Sequence, residues 1–509
     1  MSQRNSTKRS YFLNLISSSG STATIVVTQL ALVPIGLTYL GTEKFGLWLL
    51  VNALVSYLGS LYFGIHSAAF YFILEHAGCK NSAAIFKRVA FLLSIIALVA
   101  LIILGGAYCL DLIPVTHLIT VPPWLLRESV SSAIILSVAF LLNLPFGALT
   151  AYLNGTQNQH KENLFSMATV VCTFTAFLFG ALNRFDLTKI ALLFGSGTLL
   201  VSMFKLAYVL HHIKKQGYVD CKHGTSPSTQ QIFHNGFKFF IMGVTALLLW
   251  NTDQPIISNF LSLDQVTSYS LTMKLYLVNI SILTIINSSL YPILGKYIHE
   301  KNWNWVNRSI AKISAITFLF SGYVLIGGIL LLEPIFHFWT SGRGYPGLLA
   351  PFLFGVYMVI YPVVNLNTAI LSVLNKLKFV PFVLLGEACV KIGISYTLIR
   401  FFHSINGAIF ATVFATMCFS YTVFPIFIRH RSNRMIHHSF KKTLLNNMLG
   451  LSGALIALAF AHYTSNISAR IVSSVVLLSL FSILFLRLNK NDFRIEDVLN
   501  VLRRKPLQQ

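Results

Sequence analysis

Hydrophobic and polar residues alternate along this chain in long blocks rather than in short periods. Apolar runs near 20 residues long, the length that crosses a hydrocarbon core, fall at about 16–40, 45–73, 89–110, 126–153, 164–182, 187–210, 237–258, 266–295, 311–332, 347–374, 379–399, 406–428, 444–462 and 470–487. This pattern predicts an all-α polytopic membrane protein with about fourteen transmembrane helices. The longest polar stretch, about His211 to Lys238, contains HHIKKQGYVDCKHGTSPSTQQ and separates six runs from the eight that follow. The other connections are short, and none offers room for a folded extramembrane domain.

The two sides of that polar stretch echo each other. PIGLTYLGTEKFGLW, Pro34 to Trp48, aligns with PIISNFLSLDQVTSY, Pro255 to Tyr269, at a constant offset, with proline on proline, Glu43 on Asp264 and Trp48 on Tyr269. A second echo sets Thr150-Ala151-x-Leu153 against Thr368-Ala369-x-Leu371. Internal symmetry of this kind is a mark of transporter folds. The expected organisation is a six-helix lobe over 1–213, an inner linker over 214–236, a pseudo-symmetric six-helix lobe over 237–430, and two extra helices with a basic tail over 431–509. If Pro34 and Pro255 are equivalent, both helices should kink within about a turn before the proline.

Composition agrees with a membrane protein. Of 509 residues, 55% are hydrophobic and 10% charged, with a mean hydropathy of +0.70; soluble domains carry nearer a quarter charged residues. The net charge of +23 would suit nucleic acid if the cations were clustered, but they are distributed by topology. With the N-terminus inside, only Lys44, Arg127, Arg184, Lys189, Arg343, Arg400 and Arg470 fall outside, and Lys205, Lys274 and Lys391 fall within runs. The remaining 28 of the 38 basic residues lie inside. That bias obeys the positive-inside rule, places both termini in the cytoplasm, and removes nucleic acid as a partner. The first run is too long for a signal-peptide core and reads as a retained span. The six cysteines are scattered, without metal-ligand spacing, and read as small hydrophobes. No metal and no cofactor is expected.

Motifs of soluble enzymes are nearly absent. Gly342-x-Gly344-x-x-Gly347 matches a dinucleotide pattern by letter, but it holds Pro346 and follows no strand. There is no phosphate-binding loop for ATP, and the chain is not expected to be an enzyme. The small residues Ser17 to Thr22 suit close helix packing or a cavity wall equally.

Charges inside the runs carry more information, because an ionisable residue at mid-membrane costs roughly 2.5–3.5 kcal/mol on insertion scales. Asn251, Asp253 and Gln254 interrupt an apolar run that breaks at Pro255, which cannot donate to the carbonyl of Asn251. Backbone left open in this way must face protein or a water-filled cavity. Lys274, Glu387 and Lys391 lie within the second lobe, the last two one helical turn apart. The first-lobe equivalents, Leu32, Ala53, Thr169 and Thr173, are uncharged. Two readings stand. The pairs Asp253–Lys274 and Glu387–Lys391 neutralise each other and fix helix packing, or Lys274, Lys391 and Asn251 form a substrate site for a phosphate-bearing molecule, with Asp253, Glu387 and the titratable His66 available for coupling. Lys205, near an inner end, is expected to snorkel to the interface.

The SSSG-to-YLGTEKFGLW stretch, the FGI of Phe63–Ile65, the repeated segment and the twelve-plus-two spans together resemble the polysaccharide-biosynthesis flippases. These are the O-antigen (Wzx-type) exporters of the multidrug/oligosaccharidyl-lipid/polysaccharide superfamily. The resemblance implies two six-helix lobes around a central cavity and a polyprenyl-diphosphate-linked oligosaccharide moved from the inner to the outer leaflet. It also implies a bacterial inner membrane, basic cavity residues that Lys274 and Lys391 match by type, coupling to an ion gradient, and other polysaccharide assembly proteins as partners. Asp253 and Glu387 depart from a purely basic cavity. The competing readings are a cation-coupled multidrug-type antiporter of the same superfamily, a membrane glycan polymerase, which would need a large outer catalytic loop, and a non-transporting scaffold.

The charge distribution makes a direct prediction about topology. Reporter fusions after Ser226 and after Ser341 should report the cytoplasmic and the outer side respectively. An outer signal at Ser226 overturns the assignment.

Overall fold

The computed structural model describes residues 2–76, 79–110, 121–215, 227–374, 379–432, 435–436, 440–464 and 466–489. Thirteen helices among them are long and apolar enough to cross a membrane, and each falls on one of the expected runs. The remaining run, 266–295, lies within the 37-residue helix Leu263–His299. The fold is all-α, with no strand among the described residues. Several expected features lie outside those residues: linker residues 216–226 with Lys222, Lys376 and Lys378, Arg434, most of the Asp111–Arg127 loop, and the basic tail from Lys490. By backbone contacts the chain divides into two compact units, Met1–Ser270 and Leu271–Gln509.

The first unit contains α1 (Ser2–Tyr39), α2 (Gly41–Ser56), α3 (Ile65–Glu75), α4 (Lys80–Cys109), α5 (Leu126–Asn143), α6 (Gly147–Gly155), α7 (Gln159–Leu182), α8 (Leu187–Lys215), α9 (Thr229–Asn251), α10 (Asp253–Phe260) and the start of α11 (Leu263–His299). α1 packs along α7, α5 and α7 pack on α8, and α3 lies between α6 and α9. Ile65, Ile73, Ile85, Phe86, Val89, Leu149, Tyr152 and Ile232 form a buried core on the cytoplasmic half of the predicted topology. By contrast, Phe91, Leu98, Ile102 and Ile103 of α4 are exposed, as lipid-facing residues should be. Association of such helices depends on close packing and internal polar bonds, since lipid is as apolar as the side chains.

Two helix breaks shape this unit. The second span is not one helix: α2 passes into a 3₁₀ stretch, Tyr57–Tyr62, and then Phe63 and Gly64 both adopt left-handed backbone (φ 43° and 66°) before α3 begins. Gly64 also lies against α9, where a Cβ would stand 2.1 Å from the carbonyl oxygen of Gly236. Only glycine meets both demands. α9 itself begins with a capping box, in which Ser228 accepts from the Gln231 backbone (3.2 Å) and the Gln231 side chain accepts from Ser228 (2.8 Å). It ends at Thr252, three residues before Pro255, as the missing proline donor requires. Pro34 behaves differently: α1 runs unbroken through it. Pro255 sits in the first turn of α10, where an N–H has no helical partner anyway, whereas Pro34 lies inside a long helix whose neighbours absorb the defect.

The second unit continues α11 and adds α12 (Trp303–Thr340), α13 (Leu349–Val373), α14 (Val380–Phe402), α15 (Asn406–Thr416), α16 (Thr422–Arg431), α17 (Phe440–Tyr463) and α18 (Ile467–Leu488), with a π-helical turn over Met417–Tyr421 joining α15 to α16. α12 packs on α13 and also carries α17 and α18. The two last helices are fastened to it by small residues and polar bonds. Gly322 lies beneath the ring of Phe481, Tyr323 bonds Ser482 at 2.7 Å, and buried Arg470 reaches Glu333 at 2.5 Å and the carbonyls of Thr464 and Ala461.

Two side-chain expectations are corrected. Lys205 does not snorkel. It is buried, with Nζ 2.6 Å from Glu162 Oε2 and 2.8 Å from Thr150 Oγ1, because a carboxylate and a hydroxyl within the helix bundle replace the water it would otherwise seek. Cys79 is disulfide-bonded and so is not a simple hydrophobe, whereas Cys109, Cys172, Cys389 and Cys418 are free.

The backbone at Gly64 makes its substitution costly. Gly64→Ala should lose at least about 1–2 kcal/mol from the left-handed backbone alone and more from the contact with Gly236. Gly105→Ala, with nothing near its Cβ, should be neutral or better. Thermal unfolding of the purified variants checks this, and equal melting temperatures would contradict the close approach.

Candidate functional site

The break in the second span and the straight face of α9 leave a cavity of about 430 Å³ within the first unit. Its wall on one side is Gly59, Ser60, Tyr62, Gly64, His66 and Ser67, and on the other Phe239, Phe240, Gly243, Val244, Leu247, Trp250 and Asn251. Two of the expected site residues, His66 and Asn251, which are far apart in sequence, therefore line one space. His66 is held by the ring of Tyr62, edge-on at 4.9 Å, and its Nε2 lies 3.2 Å from Ser67 Oγ. Its Nδ1 is buried with no hydrogen-bond partner among the described residues.

Asp253 opens α10 just beyond the cavity. It is buried, and its Oδ2 accepts from the hydroxyl of Tyr269. The preceding Thr252 bonds Tyr57 at 2.8 Å and the carbonyl of Leu248 at 2.7 Å, so the interrupted backbone between α9 and α10 is laced to the second span. An aspartate at a helix N-terminus also meets the positive end of the peptide dipoles. The sequence signalled the carboxylate but not its tyrosine, sixteen residues on and across a turn.

In the second unit, Glu387 and Lys391 lie one turn apart on α14, and both are buried (4% and 2% exposed). The carboxylate of Glu387 is grasped from the neighbouring span. Thr416 Oγ1 donates to Oε1 at 2.7 Å, and Ser420 Oγ donates to Oε2. Thr416 ends α15 and Ser420 sits in the π-helical turn; such turns are rare and gather at functional positions. The sequence signals this pair by charge within an apolar run and by a spacing of four on one helix face, but not the two hydroxyls that bind the carboxylate. Lys274, on α11, is half-buried. Two residues along, Tyr276 is locked by a bond to the carbonyl of Pro351 (2.8 Å) and a stack on Phe354 (5.4 Å), which fixes the register of Lys274. Among the described residues no group of three His, Cys, Asp or Glu side chains is placed to hold a metal ion.

A cavity between a broken helix and its neighbour, and charged residues buried at mid-span, are features of transporters rather than of soluble enzymes. Comparison with known proteins bears on this directly. The family model described as "Polysaccharide biosynthesis protein" matches residues 14–298, more than half of the chain. The chain belongs to the polysaccharide biosynthesis protein family. No curated protein sequence matches it. Among solved structures, this polysaccharide biosynthesis protein is similar in fold to an inward-facing multidrug resistance MATE family transporter of the MOP superfamily (TM-score 0.67, 14% identity, covering 81% of this chain and 95% of the other). It is also similar to the lipid II flippase MurJ in an inward closed conformation (TM-score 0.61, 14% identity, 94% and 99% covered). A third match is a MOP superfamily transporter from Pyrococcus furiosus described as having a binding pocket of reverse polarity (TM-score 0.55, 13% identity, 83% and 94% covered). At these identities the likeness is one of fold, and the fold is that of transporters and flippases.

The Glu387 cluster predicts a coupled energetic signature. Thr416→Val and Ser420→Ala should each cost about 1–3 kcal/mol, because each leaves a buried carboxylate oxygen less satisfied. In a Glu387→Leu background the same changes should cost almost nothing. Thermal unfolding of the double-mutant cycle measures the coupling, and additive losses would show that the hydroxyls do not act through Glu387.

Proposed function

We propose that this protein is a flippase that carries a polyprenyl-diphosphate-linked oligosaccharide, an O-antigen or similar surface-polysaccharide unit, from the inner to the outer leaflet. It does so by alternating access, coupled to an ion gradient. The observation that carries this reading is the burial of Lys391 beside Glu387 on a membrane-spanning helix, with the carboxylate already bonded by two hydroxyls. A carboxylate so supplied is held in place by the neighbouring span, and an ammonium kept at mid-membrane beside it is the kind of charge that attracts a diphosphate. Lys274 adds a second cation in the same unit, and Asn251 offers a neutral hydrogen-bonding group. Asp253, Glu387 and His66 are the groups available for coupling.

Family membership and fold support the lipid-linked substrate. The fold match to the lipid II flippase extends over 94% of this chain at a TM-score of 0.61, and that to the multidrug transporter over 81% at 0.67, so the fold accommodates both readings and the family membership favours the first. The cation-coupled antiporter is the second reading, favoured by the two buried carboxylates Asp253 and Glu387. Pseudo-symmetric lobes over 1–213 and 237–430, a bacterial inner membrane, cytoplasmic termini and contacts with other polysaccharide assembly proteins belong to the same proposal.

The lysines separate the readings. Lys274→Ala and Lys391→Ala should each cripple surface-glycan export by tenfold or more, the loss of roughly 1.4 kcal/mol or more of anion binding. Lys→Arg should be milder, since charge is kept though the donor geometry changes. A deletion strain should accumulate lipid-linked oligosaccharide on the inner leaflet. Full export by the Lys274→Ala, Lys391→Ala double variant at wild-type abundance would falsify the cation site and leave packing as the lysines' role.

A further inference from the structure

The cavity between the broken second span and α9 has a wall of a particular kind. None of its lining residues is Asp, Glu, Lys or Arg, so apart from the imidazole of His66 it presents no charge to a diphosphate or to a cationic drug. Nor is it a plain lipid groove, because Ser60, His66, Ser67 and Asn251 face it, and polar groups set against hydrocarbon cost free energy without return. What remains is a neutral molecule with both flat apolar faces and many hydroxyls.

We propose that this cavity is a saccharide subsite that takes a sugar ring of the transported oligosaccharide. The inference rests on the flippase reading and names what one part of its site recognises. Tyr62, Trp250 and the two phenylalanines supply broad apolar ring faces, the complement of the C–H face of a pyranose. Asn251, Ser60 and Ser67 each donate and accept hydrogen bonds, as sugar hydroxyls do. His66 adds the most specific element. Its ring is oriented by Tyr62, and its Nε2, 3.2 Å from Ser67 Oγ, forms with that hydroxyl a paired polar edge on the cavity wall. The volume of about 430 Å³ is within the range of small-molecule sites, roughly 300–1,000 Å³. The small residues Gly59, Gly243 and Ala246 keep the space open.

The test uses the full-length protein in lipid nanodiscs and a panel of methyl glycosides of hexoses and N-acetylhexosamines. At least one should raise the melting temperature in the millimolar range. The apparent affinity should fall about tenfold or more in Asn251→Leu and Trp250→Leu, equivalent to roughly 1.4 kcal/mol, and stay unchanged in Gly105→Ala. A shift that persists in both leucine variants, or no shift with any glycoside, overturns the subsite. So does quenching of Trp250 fluorescence by brominated lipid chains that no glycoside relieves, because the cavity then holds an acyl or prenyl tail. The same preparation is assayed in proteoliposomes for translocation of lipid-linked oligosaccharide. Translocation without glycoside binding removes the subsite alone, and absence of translocation removes the function on which it rests.

Discussion

Inside a bilayer a polar group has no water to turn to, and everything distinctive in this protein follows from that constraint. Four of the buried ionisable side chains described above are held by partners on neighbouring elements of the fold rather than by solvent. Glu162 and Thr150 hold Lys205, Tyr269 holds Asp253, Thr416 and Ser420 hold Glu387, and Glu333 meets Arg470. Such bonds are the specific part of helix association in a solvent as apolar as leucine. They also set the positions at which charge can be kept within the membrane.

How much of this was legible in the sequence depends on the range of the interaction. Helix number, order and type follow from local hydropathy, so the apolar runs and the observed helices agree almost one for one. The break before Pro255 was also legible, because a proline's missing donor acts within one turn. The break in the second span was not. Phe63 and Gly64 read as one more stretch of apolar residues, and their left-handed backbone is meaningful only because α9 passes so close. The cavity, which exists because of that break, was therefore hidden, although His66 and Asn251 had each been singled out alone. Lys205 was misjudged for the same reason: distance from a helix end predicts snorkelling, but Glu162 lies on another helix.

The sequence repeat sharpens the point. Under the alignment of the two halves, Asp253 stands opposite Leu32 and Tyr269 opposite Trp48. The carboxylate and the hydroxyl that binds it thus both differ from the residues aligned with them in the earlier stretch. Trp48 is instead packed against Phe177 and Phe194, with ring centroids 5.4 and 5.3 Å away. The aligned positions thus hold an aromatic core at Trp48 and a buried hydrogen-bonded acid at Asp253, so the sequence echo does not extend to the chemistry.

The π-helical turn at Met417–Tyr421 has a further geometric meaning. It inserts one residue into a helix that otherwise repeats every 3.6, so the side-chain stripes before and after it are rotated by about 100° relative to each other. α15 packs on both α14 and α13, the turn itself touches both, and α16 continues against α13. The span meets both neighbours up to the turn and keeps α13 beyond it, and Pro425, which cannot donate to the carbonyl of Tyr421, stands one helical turn after the last residue of the π-helical stretch. Removing one residue from the turn would bring the stripes back into phase and shift the face that α16 turns toward α13.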